Sequence, residues 1–280
     1  MSSSAADFGG QLPDADGLWS VRRTEGALPY PDEAHRVIAE VEDRSFWFRH
    51  RNRVIGWMLR AYPIDGAFLD VGGGNGFQSL MLQQQWPTVV MVEPGIVGCR
   101  TARDRGVRRV VHGTLEELAL PQQSVGGIGL FDVLEHIVDA RALLNESASV
   151  LRRAGRLFVT VPAFRCLWSR EDDFAQHARR YTEASLRAEI EAAGFRIERC
   201  AYFFGPLFLP VLLLRALPYR LSRRPAVLDP YAAARTAGHT PPGFVDRLMN
   251  SRLDRELRAL AADRAPAFGS SVLCVATVHG

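Results

Sequence analysis

The segment Phe68-Leu-Asp-Val-Gly-Gly-Gly-Asn-Gly76 constrains this chain more than any other: an apolar strand that breaks into a loop with glycine at 72, 73, 74 and 76. A helical pattern follows from Phe77 to Gln85, so the unit reads as strand, turn and helix. Glycine permits backbone dihedrals closed to other residues and lets a ligand approach the main chain. The helix behind it offers unbonded N–H groups at its start. Seventeen residues beyond Gly76, the strand Val89-Val-Met-Val-Glu93 ends in an acid, where a nucleotide site places the acceptor for a ribose diol. Loop and acid at this offset specify a nucleotide-binding α/β unit far better than the loop alone.

A dinucleotide loop of the form G-x-G-x-x-G would need glycine at 77, where close helix–strand packing leaves no room for a side chain; Phe77 stands there. The spacing is instead D-x-G-x-G-x-G, read at Asp70, Gly72, Gly74 and Gly76. It resembles the first motif of the class I S-adenosylmethionine-dependent methyltransferases, with Glu93 matching that family's ribose-binding acid. Gly113-Thr114-Leu115 falls where the family lays backbone and a polar side chain against adenine. Leu130-Phe-Asp-Val-Leu-Glu-His136 resembles the end of its fourth strand, with Phe131 beside the cofactor, and Leu151–Pro162 its helix end, turn and fifth strand. The resemblance covers roughly residues 45 to 200 and the last strand, and implies S-adenosylmethionine as cofactor. Two positions depart from the pattern: Thr114 replaces a frequent aspartate near adenine, and Gly126 stands where many members carry Asp before the fourth strand.

Alternating strands and helices from 67 to 161 predict a doubly wound, mostly parallel α/β sheet with ligands at the carboxyl ends of its strands. Thr182 reads as an N-cap for a helix over 183–193, and Gly194 as its stop. Strands over 196–204 and 270–278 complete an expected seven-stranded sheet, the last two pairing antiparallel as the resemblance implies. A helical segment is expected from Asp32 to Ala61, ahead of the core. Its cluster Ser45-Phe-Trp-Phe-Arg-His-Arg-Asn-Arg53 has two readings: aromatics packed on the sheet with arginines in solvent, or a roof over the cofactor with Arg51 or Arg53 pairing the methionine carboxylate. Residues 1–17 are small, polar and expected to be a disordered tail, and residues 18–280 one methyltransferase domain.

An insert over 205–266 precedes the last strand. Its uncharged run from Ala201 to Leu214 is 14 residues, short of the roughly 20 that cross a bilayer. A lid, a homodimer contact and a membrane-surface contact through 203–224 are left open, the last by Arg215, Arg220, Arg223 and Arg224. Its second part, Pro242 to Ala262, predicts an amphipathic helix with an apolar face of Phe244, Leu248, Leu253, Leu257 and Leu260.

At 280 residues and 47% hydrophobic content, one large domain can bury its own core. The net charge of +3 gives no electrostatic case for nucleic acid. There is no lysine, and all 34 basic residues are arginine, which excludes Schiff-base chemistry and a lysine phosphate loop. Four separated cysteines, at 99, 166, 200 and 274, fit a reducing cytoplasm, and the first residues lack the pattern of a signal peptide. The arginine-rich stretch 100–109 reads as a solvated helix face.

Any general base must then be His, Asp, Glu, Tyr or Cys, because arginine stays protonated. His177, in the charged and aromatic loop after the fifth strand, is the first candidate base and His136 the second. Asp132, Glu135 and His136 share a spacing that fits one helix face; a capping box of Asp132 with Glu135 is the alternative. A divalent ion on that trio is a further one, and no metal is assigned. The expected function is S-adenosylmethionine-dependent methylation of O or N on a small-molecule acceptor, with an NAD(P)-dependent oxidoreductase or a non-catalytic binder on the same fold as rivals.

Overall fold

A computed structural model describes residues 17–21, 32–221 and 243–278; all of the expected tail 1–17 except Gly17 lies outside the described residues, as do Arg223 and Arg224. The strands are β1 Trp19–Ser20, β2 Phe68–Val71, β3 Val89–Glu93, β4 Val110–His112, β5 Val125–Phe131, β6 Leu151–Pro162, β7 Phe195–Phe203 and β8 Ser271–Val278. They form one sheet in the order β1-β4-β3-β2-β5-β6-β8-β7, parallel except where β8 runs against β6 and β7. The expected doubly wound sheet is therefore present with eight strands. The extra strand, β1, adds Trp19 beside Val111 on one edge; a two-residue strand has no periodicity to read.

The order reverses between β2 and its neighbours β3 and β5, which opens a crevice at their carboxyl ends. Alternation along β2 serves two layers. Leu69 and Val71 join the core beneath helices α5 (Ala140–Val150) and α7 (Glu183–Ala192), with Leu144, Leu186 and Ile190. Phe68 faces the opposite layer, with Val54, Ile55 and Met58 of α2 (Phe46–Ala61) and Leu82 of α3 (Phe77–Gln85). Residues of β2, β3 and β5 are buried throughout, as expected of parallel strands covered on both faces. Thr182 caps α7 by accepting from the Ser185 N–H at 3.1 Å, and Gly194 ends it at φ 85°.

Two expectations change. The helix over 32–61 is two, α1 (Asp32–Val41) and α2, because Ser45 takes an extended conformation and Glu42 turns inward to Arg105 at 2.6 Å. Arg105 belongs to the stretch expected to face solvent. Instead Arg105, Arg103 and Arg109 each bond main-chain carbonyls around α4 (Ile96–Asp104). The glycine at 126 also has a physical cause: a Cβ there would lie 1.8 Å from the Asp65 carbonyl oxygen, so no aspartate fits.

The insert folds back onto the α2 layer. Short helices α8 (Phe208–Val211) and α9 (Leu217–Leu221) flank a π-helical turn over Leu212–Ala216, and the long helix α10 spans Gly243–Ala261. Leu253 and Leu260 are buried and Leu257 packs beside them. Phe244 and Leu248, expected on the same face, are exposed; the first turns of α10 lie outside the main core. Buried Glu256 anchors the helix: its carboxylate accepts from the Phe204 N–H at 2.9 Å and the Gly205 N–H at 2.6 Å, and contacts His50 Nε2 at 3.1 Å. Trp47 stacks on Phe204 at 4.1 Å alongside. No described helix is long and apolar enough to cross a membrane.

Glu256→Ala strips the acceptor from two main-chain donors and a histidine at once, and should destabilise the fold by about 2–4 kcal/mol. Urea unfolding measures this; a loss below about 1 kcal/mol would mean the insert is held by its leucines alone.

Candidate active site

The glycine loop begins where β2 ends. The Gly72 N–H donates to the Val92 carbonyl at 2.8 Å, tying loop to β3. Gly72 and Gly74 both take left-handed dihedrals, φ 72° and 58°, that disfavour other residues. They differ in surroundings. A Cβ at Gly72 would strike Val133 at 2.6 Å, whereas one at Gly74 would meet nothing within 4 Å and project into open space. Gly76 is a packing position, 2.6 Å from Ala102 by the same measure. Asp70 is fully buried under the loop, accepting from Ser79 Oγ and, at 3.5 Å, from Gln78 Nε2. Burial pushes its carboxyl up to about 6. Asp70 and Gly76 thus shape the loop from below and do not line the cavity above it.

That cavity, of about 410 Å³, is lined by Gly72, Gly74, Glu93, Thr114 and Phe131 at one end. Glu93 is buried, and its two oxygens accept from the Gly74 N–H at 2.9 Å and the Gly95 N–H at 2.7 Å. A carboxylate has about four acceptor positions, so Glu93 can clamp the loop and still accept from a diol. Thr114 is engaged with Glu117, whose carboxylate accepts from its N–H at 3.0 Å. The side chain of Leu115 is buried in the core with Val111 and does not line the cavity, which leaves its main chain as the part that could face adenine.

Helix α2 roofs the crevice, and Arg51 is the residue that does so. Its guanidinium pairs with Asp132 and donates to Gln78 Oε1 at 2.8 Å. Arg53, the other candidate, points away to Asp254 of α10. Helix α1 adds a residue that the sequence did not single out, His35: its Nδ1 is 3.1 Å from Oδ1 of Asn75 in the glycine loop, and its Nε2 is 3.9 Å from Glu93. Nothing in the polar, charged helix 32–41 distinguished His35 from a surface histidine.

The other end of the cavity is built where β5 and β6 finish. Asp132 has φ 57° and accepts from Thr160 Oγ1 at 2.9 Å. A 3₁₀ turn, Leu134–His136, follows. Neither the shared helix face nor the capping box forms, because Asp132 is turned to Arg51. His177 instead meets the turn from the loop after β6, its ring centroid 4.8 Å from that of His136. The loop is stitched down: the Ala178 N–H donates to the Glu135 carbonyl at 2.7 Å, and Arg179 donates to the Val138 carbonyl at 2.6 Å.

His177 Nδ1 is 2.8 Å from Asp172 Oδ1. Asp172 also accepts from Arg180 Nε at 2.6 Å and from the Ser169 N–H at 2.8 Å. Burial raises its carboxyl, but the bonds from His177 and Arg180 outweigh burial and hold it below its ordinary value. An ionised carboxylate only accepts, so Nδ1 carries the proton and, in the neutral ring, Nε2 carries the lone pair. Burial and the neighbouring His177 lower His136 to about 4, so it is neutral near pH 7. Burial and then Asp132 raise Glu135 well above its ordinary value.

A model of the methyltransferase-domain family matches residues 42–199, more than half of the chain. A probable S-adenosylmethionine-dependent methyltransferase of Mycolicibacterium smegmatis is 29% identical over 180 residues, 62% of this chain and 69% of that one. A second, of Mycobacterium tuberculosis, is 30% identical over 176 residues, covering 61% of this chain and 64% of its own length. In fold, the chain is similar to the phosphoethanolamine N-methyltransferase 2 of Haemonchus contortus, solved with S-adenosyl-L-methionine. The TM-score is 0.55 at 14% identity, over 89% of this chain and 58% of that one. The glycine loop open at Gly74, the acid at Glu93, the sheet order and the family match agree: the chain belongs to the class I S-adenosylmethionine-dependent methyltransferases.

Proposed function

We propose that this enzyme methylates an oxygen or nitrogen of a small-molecule acceptor, bound between the turn Leu134–His136 and the loop 169–180. One observation carries the reading: a single cavity reaches from Gly74 and Glu93 to His136 and His177, so cofactor and acceptor ends are continuous. S-adenosylmethionine, when bound, supplies a methyl group activated by its sulfonium. The residues fit it. Gly74 leaves free the space a Cβ would fill, and Glu93 offers acceptors for the ribose. Thr114 and Phe131 face the same space. Arg51, held by Asp132 and Gln78, would complete the site over the methionine portion.

The acceptor end supplies alignment and a base. Phe174, Ile137 and Val211 line it with apolar surface, which excludes water around the nucleophile. His177 is oriented by Asp172 so that Nε2 can take the acceptor's proton; His136, neutral and beside it, shapes the pocket. The insert walls this end through Val211 and Arg215, while Leu209, Leu214 and Leu221 face outward and exposed. That arrangement favours a lid that also offers an apolar contact face to a partner copy or a membrane surface.

Glu93→Ala should weaken S-adenosylmethionine binding by about 1–3 kcal/mol, since buried ribose hydroxyls lose a charged acceptor. Gly74→Val should abolish binding with the fold intact; unchanged calorimetric affinity in both would remove the loop from the site. His177→Ala should lower kcat by about 10²–10⁴-fold and leave cofactor affinity unchanged. His136→Ala should cost thermal stability more than turnover, and the opposite pattern would move proton removal to His136.

A further inference from the structure

We propose that Glu135, His136 and His177 form a binding site for a first-row divalent metal ion at the acceptor end of the cavity. The inference goes beyond the methyl-transfer reading, and rests on it only for the task the ion would perform. One donor atom from each residue lies within 4.8 Å of the other two, and His177 Nε2 is 4.0 Å from Glu135 Oε1. Ligand atoms around a four-coordinate ion at about 2.1 Å are about 3.4 Å apart, so side-chain shifts of about 1 Å would close the set. This is not the trio that spacing suggested: Asp132 is committed to Arg51 and Thr160, and His177 takes its place.

Glu135 is the member that calls for a ligand. It is fully buried, it lines the cavity, and among the described residues its carboxylate oxygens have no hydrogen-bond partner beyond its own main chain. A buried carboxylate in that position is unfavourable unless compensated, and a cation between it and the two imidazoles compensates it. The outer contacts are those of ligating histidines. Asp172 fixes His177 with Nε2 turned toward Glu135, and the main chain at Ala175 hydrogen-bonds the His136 ring. Two imidazoles and one carboxylate favour zinc, iron, cobalt or nickel over magnesium, which prefers oxygen ligands. Three protein ligands leave a coordination position for an acceptor oxygen. An ion there would lower the pKa of an acceptor hydroxyl, the proton passing to solvent. His177 would act as base, and His136 would matter to stability more than to turnover, only in the metal-free enzyme.

The test is titration of untagged, metal-stripped full-length protein with Co²⁺, followed by its visible absorption, and with Zn²⁺ and Mg²⁺ by calorimetry. The expected result is one equivalent of Co²⁺ or Zn²⁺ bound and Mg²⁺ bound far more weakly. Glu135→Gln, His136→Ala and His177→Ala should each weaken Co²⁺ at least tenfold, and Asp172→Asn by about 10–100-fold through His177. Absence of a stoichiometric Co²⁺ spectrum, or titrations identical in wild type, Glu135→Gln and His136→Ala, would overturn the site. S-adenosylmethionine binding by the same samples checks that each variant is folded. If the wild type failed to bind it, methyl transfer would fall while a stoichiometric Co²⁺ spectrum still supported the metal site.

Discussion

The buried guanidinium of Arg51 holds the crevice in shape. It reaches from the roof helix α2 to Asp132 at the end of β5 and to Gln78 in the helix after the glycine loop. Asp132 is bonded in turn to Thr160 of β6, and Gln78 to Asp70 of β2. A charge this buried is tolerable only while its partners stay in place, so roof, loop and three strand ends are fixed together. The loop is clamped separately from β3, where Glu93 accepts main-chain N–H groups on both sides of the turn. Both clamps leave the space over Gly74 empty. On the proposed reading, a cofactor end braced by these contacts lowers the entropic cost of binding.

The two ends of the cavity differ in electrostatic design. Near Gly74 the polar groups are paired to one another. Near His177 the pairing is lopsided: three residues, His177, Arg180 and Ser169, donate to Asp172, whereas among the described residues Glu135 has no donor outside its own main chain. Asp172 orients, and Glu135 waits for a cation or a proton. His177 stands between the two, and the neutral His136 beside it adds no charge where, on the proposed reading, sulfonium and nucleophile would meet. The chain carries no lysine, so arginine does all the cationic positioning, and arginine can hold a carboxylate without competing for the acceptor's proton.

The sequence made the sheet and its ligand edge legible because parallel strands buried on both faces read as continuous apolar runs, and because glycine at 72, 74 and 76 has few other uses in such a place. It exposed Glu93 as the last residue of β3, His136 soon after β5 ends, and His177 in the charged loop that follows β6. It was silent where partners come from distant segments. Arg51 could be suspected as a roof residue, but Asp132 and Gln78 as its partners could not, and His35 resembled any surface histidine. The anchor between Glu256 and the Phe204–Gly205 main chain joins residues about 50 apart. Helical periodicity continued through Phe244 and Leu248, but the core beneath α10 ends before them. Leu115, a position carried over by motif, keeps its side chain in the core.

A crystal structure with the demethylated cofactor, S-adenosylhomocysteine, tests whether one cavity holds the cofactor at the Gly74 end and the acceptor at the His177 end. The expected result is ribose hydroxyls on Glu93, with the sulfur directed along the cavity toward the turn Leu134–His136 and His177. A cofactor bound with its sulfur turned away from His136 and His177, or bound outside the glycine loop, would contradict it.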